Sequence, residues 1–455
     1  MMEPLAGRTI GIVGLARSGR AAARLALARG ARVYASDLAD TEATRAVAAE
    51  LEALGATVEL GRHDDARLAA CDWVVPSPGI PPHAPVLRAL QALGRPILSE
   101  LEFAFRQLAC PVIAITGTNG KTTTTSWTAH LLQGAGLRAP ACGNIGLPLS
   151  EVALADPAPD LAVVEASSFQ LHWTERFAPR WGAVTSLAPD HLDWHGSFEA
   201  YVAAKARMFA NADPACAWVL PGEDPRARAL PGNAPGHRFY VYLERPLPAG
   251  EAGAAWDGEE LRLRWADGRW ETLLPRAELP VLGRHNVANA LMAALLACLA
   301  GAPLEAVRQG LRTLAPPPHR LQPVATIDGV LWIDDSKATN IAATRVALAA
   351  MDRPVVLLLG GRPKGEDFRA LRDALGSVRE VIAFGEAGPQ IATALDGAVP
   401  VTVVPALRAA VEEARRRARP GDAVLLAPAC ASFDEFSSYE ERGEKFAAWV
   451  REAVR

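Results

Sequence analysis

Short apolar runs, each closed by glycine, proline or a polar cluster, recur along the chain and alternate with longer stretches of helical pattern. Runs at 9–14, 32–36, 111–115, 161–165, 182–187, 330–333, 355–359, 381–384 and 423–426 are β-branched or aliphatic and read as buried strands. An Ala/Arg-rich segment at 18–29, ended by Gly30, reads as a helix, as do 198–209 and the Ala-rich stretch opened by 283–290. Strand and helix alternating in this way predict an α/β protein with largely parallel sheets. Between 217 and 279 the pattern changes to alternation broken by Trp, Gly and Pro, which predicts an antiparallel β elaboration.

The chain has 455 residues, and at about 150 residues per domain it divides into roughly three. The Pro316-Pro317-Pro318 run is the clearest linker. Boundaries are therefore expected at 1–108, 109–315 and 316–455: a Rossmann-like N-terminal domain, a P-loop-type central ATPase domain carrying the β elaboration, and a Rossmann-like C-terminal domain. A net charge of −4 supplies no basic field for nucleic acid or an anionic membrane, so neither is expected as a partner. The six cysteines are scattered without metal-site spacing, which suits reduced thiols in the cytoplasm. No signal peptide or membrane span is expected, and a monomer is.

The stretch Ile113-Ala114-Ile115-Thr116-Gly117-Thr118-Asn119-Gly120-Lys121-Thr122-Thr123-Thr124 carries the most chemistry. A buried strand breaks into a glycine turn, then Lys-Thr, then a helix. Backbone N–H groups and a helix start can face an anion there, with the Lys adding charge and the Thr hydroxyl holding Mg²⁺. The spacing departs from G-x-x-x-x-G-K-[ST]: Ile115 stands where the first glycine belongs, and Gly117 lies nearer the Lys. ATP or another nucleoside triphosphate is the expected ligand. A glycine turn with a surface Lys is the bland alternative.

Other positions are more ambiguous by themselves. Ser18 and Asp37 sit where a βαβ unit holds a phosphate or nucleotide, or they are a structural turn with an exposed acid. Glu165 ends a strand beside the phosphate loop, where a Mg²⁺-directed carboxylate belongs, and Asn144 lies in a glycine-flanked loop. Asp190-His191-Leu192-Asp193-Trp194-His195 is a metal or acid/base cluster, or a solvated loop. Lys205 on its helix reads first as a solvated face. Asn286 and Asn289 share a helix face as adenine contacts or caps. Arg320, Lys337 and Lys364 place cations at carboxyl strand edges of the last domain, suiting an anionic substrate.

Taken in order, Thr116 to Thr122, Glu165 to Gln170, Asp190 to Asp193, Gly283-x-His285-Asn286-x-x-Asn289, His319-Arg320 and Asp335 to Asn340 resemble the Mur ligase family across essentially the whole chain. Ser167 to Leu171 and Ala427 to Ser432 resemble its glutamate-adding branch. The resemblance implies ATP-dependent amide formation in peptidoglycan precursor synthesis, joining UDP-MurNAc-L-Ala to D-glutamate through an acyl phosphate. A sibling ligase or an L-glutamate-adding variant is the alternative; no D-N-P-R acceptor motif is present. A nicotinamide-dependent oxidoreductase and a nucleotide-switch module are the competing classes, the first disfavoured by the imperfect glycine loop.

Carried over residue by residue, the resemblance implies that 118–124 hold the ATP phosphates and that Asn286 and Asn289 sit at adenine. Arg320 would reach the terminal phosphate, and Asp335 the ribose. It puts UDP on Ser18 and Asp37, with Asn144 also on the substrate, and glutamate on Thr339, Lys364, Ser432 and Tyr439, with Lys337 near the phosphates or a carboxylate. Two Mg²⁺ sites are implied: Thr122 and Glu165 at the first, His191 at the second, bridged by a carbamylated Lys205. Lys121, Glu165, His191 and Lys205 are thus the expected catalytic set. Tyr439 and Gln322 stand where the family often has Phe and Glu.

Overall fold

The computed structural model describes residues 2–452. The chain divides into two compact units, Met1–Leu279 with Ala288–Thr313, and Pro280–Val287 with Leu314–Arg455.

The first unit carries two sheets. One is four-stranded and parallel, in the order Thr57–Leu60, Arg32–Asp37, Thr9–Val13, Trp73–Pro76. Thr9–Val13 feeds helix Arg17–Ala28, whose buried face is mostly alanine and so lies close to the sheet. Gly19 is needed in its first turn: a Cβ there would stand 1.9 Å from the Gly14 carbonyl oxygen. The other sheet is nine-stranded, with Val112–Thr116 between Trp181–Val184 and Ala162–Glu165, and Ala141–Gly143 at its edge. Each of these central strands is almost wholly buried, so each reads as an apolar run and not as an alternation.

The elaboration differs from the expected antiparallel ladder. Ala217–Pro221, His237–Tyr242 and Ala252–Trp256 continue the nine-stranded sheet in parallel, and only Glu260–Arg264 and Trp270–Pro275 return antiparallel. Alternation reports a half-exposed face, not strand direction; direction depends on how each connection crosses the sheet.

The boundary expected near residue 108 is not a boundary of the core. Ile10, Ile12 and Leu101 share one apolar cluster with Leu149, Val164 and Trp218. The buried Glu102 carboxylate is bound by the backbone N–H groups of Glu175 (3.0 Å), Arg176 and Phe177 (2.9 Å) and by Arg106 Nε at 2.7 Å. Four donors on one carboxylate hold a charge that burial would otherwise penalise.

The second unit is built on a six-stranded sheet in the order Gln322–Ile327, Val330–Asp334, Ala423–Ala429, Val355–Gly360, Val378–Phe384, Val401–Val404. Only the Gln322–Ile327 pairing is antiparallel. Apolar clusters cover both faces, and helix Tyr439–Glu452 packs Phe446 and Val450 onto one of them. Among the described residues no helix is long and apolar enough to cross a membrane, and all six cysteines are free thiols.

Candidate active site

Strand Val112–Thr116 opens into the glycine turn, and helix Lys121–Gly134 begins at Gly120, which is left-handed at φ 87°. Neither glycine of the turn tolerates a side chain. At Gly117 a Cβ would lie 2.1 Å from Thr185 Oγ1, and at Gly120 one would lie 2.6 Å from Asn289 Oδ1. The loop is tied down by its neighbour strand end: Thr118 N donates to Ser186 O (2.9 Å) and Asn119 N to Ser186 Oγ (3.0 Å). Those two amides are committed, so the donors turned toward an anion come from the helix start, where first-turn N–H groups have no intrahelical acceptor. Lys121 Nζ lies across the loop, donating to Thr118 O at 2.7 Å. Thr122 is half-buried and Thr123 buried in the same turn, while Thr124 Oγ1 donates to Asn289 Oδ1 at 3.2 Å.

Lys205 is buried under this loop, not solvated as helical position alone suggests. It is 1 % exposed, and its Nζ donates to Gly117 O at 2.8 Å while lying 4.5 Å from the Tyr201 ring centroid. Burial first, then repulsion by Lys121, hold its amine well below the usual lysine range; Asp190 and Glu165 pull the other way and lose. Tyr201 OH in turn meets Thr118 Oγ1 at 2.9 Å.

Glu165 ends the strand beside the loop, in register with Ile115. It is 2 % exposed; Oε1 accepts from Asn144 Nδ2 at 2.7 Å, and Oε2 has no hydrogen-bond partner. A buried, unpaired carboxylate oxygen beside a phosphate-type loop fits an oxygen ligand for Mg²⁺. His191 has a left-handed backbone (φ 51°) and an exposed ring packed on Phe169, with Nε2 3.5 Å from Asp190 Oδ2. Among the described residues no three His, Cys, Asp or Glu side chains gather as a metal cluster, so the expected set depends on Thr122 and on a modified Lys205. His195, half of the imidazole pair expected there, turns to Ser168 Oγ at 2.9 Å and is pushed down to about 4, mainly by burial.

On the four-stranded sheet, Ser18 lies in the first turn of helix Arg17–Ala28. Asp37 closes the glycine loop from the next strand: Oδ2 accepts Leu15 N at 2.7 Å and Oδ1 accepts Ala39 N at 2.8 Å. Its first visible task is therefore holding the turn, with the remaining lone pairs left for a ligand.

In the second unit, Asp335 is buried and accepts Leu321 N at 3.1 Å. Burial pushes its carboxyl up to about 7, against the Leu321 hydrogen bond and the Arg320 charge. His319 Nδ1 contacts Asp334 Oδ2 at 2.7 Å, and the departure at Gln322 is explained locally, because its Oε1 accepts His319 N at 3.0 Å. Lys364 Nζ donates to Thr339 Oγ1 at 3.1 Å, and Lys337 Nζ lies 5.0 Å from the Tyr439 ring centroid. Ser432 is buried, its carbonyl accepting Phe436 N at 2.9 Å. Asn286 turns its Nδ2 to Leu282 O at 2.9 Å.

Sequence reading passed over Thr185, Ser186, Tyr201, Ser336 and Arg442. Tyr201 had a signal, since it stands four residues before Lys205 and shares its helix face. The others act through a backbone closeness that no spacing announces.

Three family profiles match the chain: Mur ligase MurD-like, N-terminal domain, over 8–99; Mur ligase middle domain, over 115–297; and Mur ligase, glutamate ligase domain, over 319–430. The UDP-N-acetylmuramoylalanine–D-glutamate ligase of Acidobacterium capsulatum is 42% identical over 97% of this chain and 96% of its own length. That of Rubrobacter xylanophilus is 44% identical over 98% and 99%. Among solved structures, UDP-N-acetylmuramate-alanine ligase from Thermotoga maritima superposes with a TM-score of 0.59 at 20% identity, covering 98% of this chain and all of that one. A pseudomurein peptide ligase type C from Methanothermus fervidus gives 0.58 at 19% identity, covering 99% of this chain and all of the other; both likenesses concern the fold. A phosphate-type loop over a buried lysine, and relatives sharing two-fifths of their residues from end to end, lead to one conclusion: the chain belongs to the Mur ligase family.

Proposed function

We propose that this protein is a UDP-N-acetylmuramoylalanine–D-glutamate ligase, which uses ATP to join UDP-MurNAc-L-Ala to D-glutamate in peptidoglycan precursor synthesis. The observation that carries the reading is the phosphate-type turn at Gly117–Gly120, built over a buried amine and beside a buried carboxylate oxygen without a partner, in a chain whose full-length relatives bear that name.

The substrate carboxylate attacks the γ-phosphorus of ATP, ADP leaves, and an acyl phosphate results. The neutral glutamate amine then attacks the acyl carbon, phosphate departs, and the nitrogen gives up a proton. Such a transfer needs positioning and charge neutralisation more than covalent help. Lys121 and the first-turn amides from Gly120 to Thr124 would hold the triphosphate, and Thr118 and Asn119 keep the loop in shape. Mg²⁺ would be held by Thr122 and Glu165 at one site and His191 at a second, and when bound it neutralises charge on the transferring phosphoryl group. Lys205, whose amine burial holds well below the usual lysine range, would react with CO₂ and lose a proton to become an N-carboxylate, which would supply a negative oxygen ligand for Mg²⁺. Asn286 and Asn289 are assigned to adenine, Asp335 to ribose and Arg320 to the terminal phosphate. Ser18, Asp37 and Asn144 are assigned to the UDP-sugar substrate, and Thr339, Lys364, Ser432, Tyr439 and Lys337 to glutamate. Residues 1–108, 109–315 and 316–455 would then be the UDP-substrate, ATP and amino-acid parts of a cytoplasmic, monomeric enzyme.

The test is phosphate release on mixing UDP-MurNAc-L-Ala, ATP, Mg²⁺ and D-glutamate, with L-glutamate in parallel. Release that requires D-glutamate supports the proposal. Release no greater than that of Lys121→Ala overturns it, and release with the L isomer alone assigns the other hand.

A further inference from the structure

Among the described residues Arg442 is the second largest side chain to be completely buried, and its side-chain hydrogen bonds go to neutral oxygens. Its Nε donates to Ser336 Oγ at 2.9 Å, one terminal nitrogen to Ser336 O at 2.8 Å, and the other to Cys430 O at 3.1 Å. Burial pushes the guanidinium down to about 10, with Asp434, Asp334 and Glu435 acting only at a distance. Burying a charge with only neutral acceptors is unfavourable, and what the guanidinium supplies in return is its planar fork of donors.

The fork spans two loops. One runs from Ser336 through Lys337 to Thr339; the other runs from Cys430 to Ser432. The contacts continue outward from both. Ser336 Oγ donates to the Tyr439 carbonyl at 2.8 Å. Ala431, next to Cys430, pairs with Arg362 through N–H···O contacts of 2.9 and 3.0 Å, and two residues on Lys364 Nζ returns to Thr339 Oγ1. Ser336–Thr339, Arg362–Lys364 and Cys430–Ala431 therefore close a ring of links through the Arg442 guanidinium, with Tyr439 tied to it through Ser336 Oγ and Ser432 following Ala431 in the chain. The next residue, Gly443, lets the same helix turn approach His319, since a Cβ there would lie 2.1 Å from Nδ1.

We infer that Arg442 is a positioning residue for the amino-acid substrate: it sets the spacing between loops 336–339 and 430–432 without touching the amino acid. The inference rests on the glutamate assignment made above. A planar fork can hold both loops at a fixed separation, which a single ammonium or an apolar chain cannot do. Misplacing binding groups by an ångström weakens the substrate that relies on them and leaves others alone.

Arg442→Lys and Arg442→Met test this by steady-state kinetics and thermal melting. For either folded variant the glutamate KM should rise about tenfold or more, with the KM values of ATP and UDP-MurNAc-L-Ala within about twofold of the parent. A glutamate KM within about twofold of the parent, or three KM values rising together, overturns the inference. Should both variants fail to fold, Ser336→Ala decides. It removes the Oγ links to Arg442 Nε and to the Tyr439 carbonyl with little volume, leaves the guanidinium bonded to Ser336 O and Cys430 O, and should raise the glutamate KM about threefold; an unchanged value overturns the inference. The parent protein serves as the separate control. If it shows no glutamate-dependent phosphate release, the proposed function is what fails; a parent that turns over with a variant glutamate KM unmoved rejects Arg442 alone.

Discussion

Lys205 shows how little a residue's own helix says about it. Its nearest hydrogen-bond acceptors are Gly117 O at 2.8 Å and Thr116 Oγ1 at 3.4 Å, neither of them an anion, and burial holds its amine well below the usual lysine range. Beside the proposed metal ions an ammonium would be repelled, whereas the proposed carbamate would offer them negative charge. Lys205→Ala should therefore lower kcat by about a hundredfold or more, and tens of millimolar formate or acetate should restore part of it. Full activity in the variant would count against the carbamate. Asp335 makes a pH prediction. Its carboxyl is raised to about 7 in the folded chain from an ordinary 3.8, so the folded state holds the proton that the unfolded state has lost between those values. Stability from this group is thus greatest at low pH and declines as pH rises toward 7. Asp335→Asn should stabilise the protein at pH 7.5 by on the order of 2 kcal/mol, with the gain vanishing near pH 4, in denaturant titrations. ATP affinity should fall in the same variant, which separates a ligand role from a merely strained one.

The helix Lys121–Gly134 is the element on which the nucleotide reading turns, and its two ends make opposite predictions. Gly120 is left-handed and packed against Asn289, so Gly120→Ala meets both backbone strain of about 1–3 kcal/mol and a collision. The ATP KM should rise about tenfold or more in that variant, because the first-turn amides are displaced. Gly134 ends the same helix, and a Cβ there meets nothing within 4 Å. Gly134→Ala should raise stability by about 0.4–1 kcal/mol through the unfolded state, with activity unchanged. If both substitutions affected turnover alike, the helix start would have no special part in binding nucleotide.

Across the whole first unit, the expected division near residue 108 is bridged by a continuous core and by Glu102. Glu102→Gln leaves buried donors poorly matched and should lower stability by about 2–4 kcal/mol. Residues 1–108 expressed alone should lack a cooperative transition, since Leu101 and its neighbours would lose the Leu149 and Trp218 side of their cluster. A sharp, independent melt for 1–108 in calorimetry would contradict this. The phosphate loop lies in the first unit and the residues proposed for glutamate in the second, which accounts for the length of the motif list: each unit contributes its own strand ends.

Strand runs, the glycine turn with its Lys-Thr, and the order of motifs were legible because they depend on local chemistry. Burial on both faces demands apolar runs, and a left-handed turn demands glycine, whatever surrounds them. The parallel course of His237–Tyr242 and Ala252–Trp256 was not legible, nor was the burial of Lys205 or the committed amides of Thr118 and Asn119. Nor was the guanidinium hub at Arg442, which joins residues 106 positions apart. Each of these depends on which distant backbone comes within hydrogen-bond reach. A one-dimensional pattern records what a residue prefers; only the packed chain determines what it touches, and here that contact set decides charge, donor supply and loop spacing.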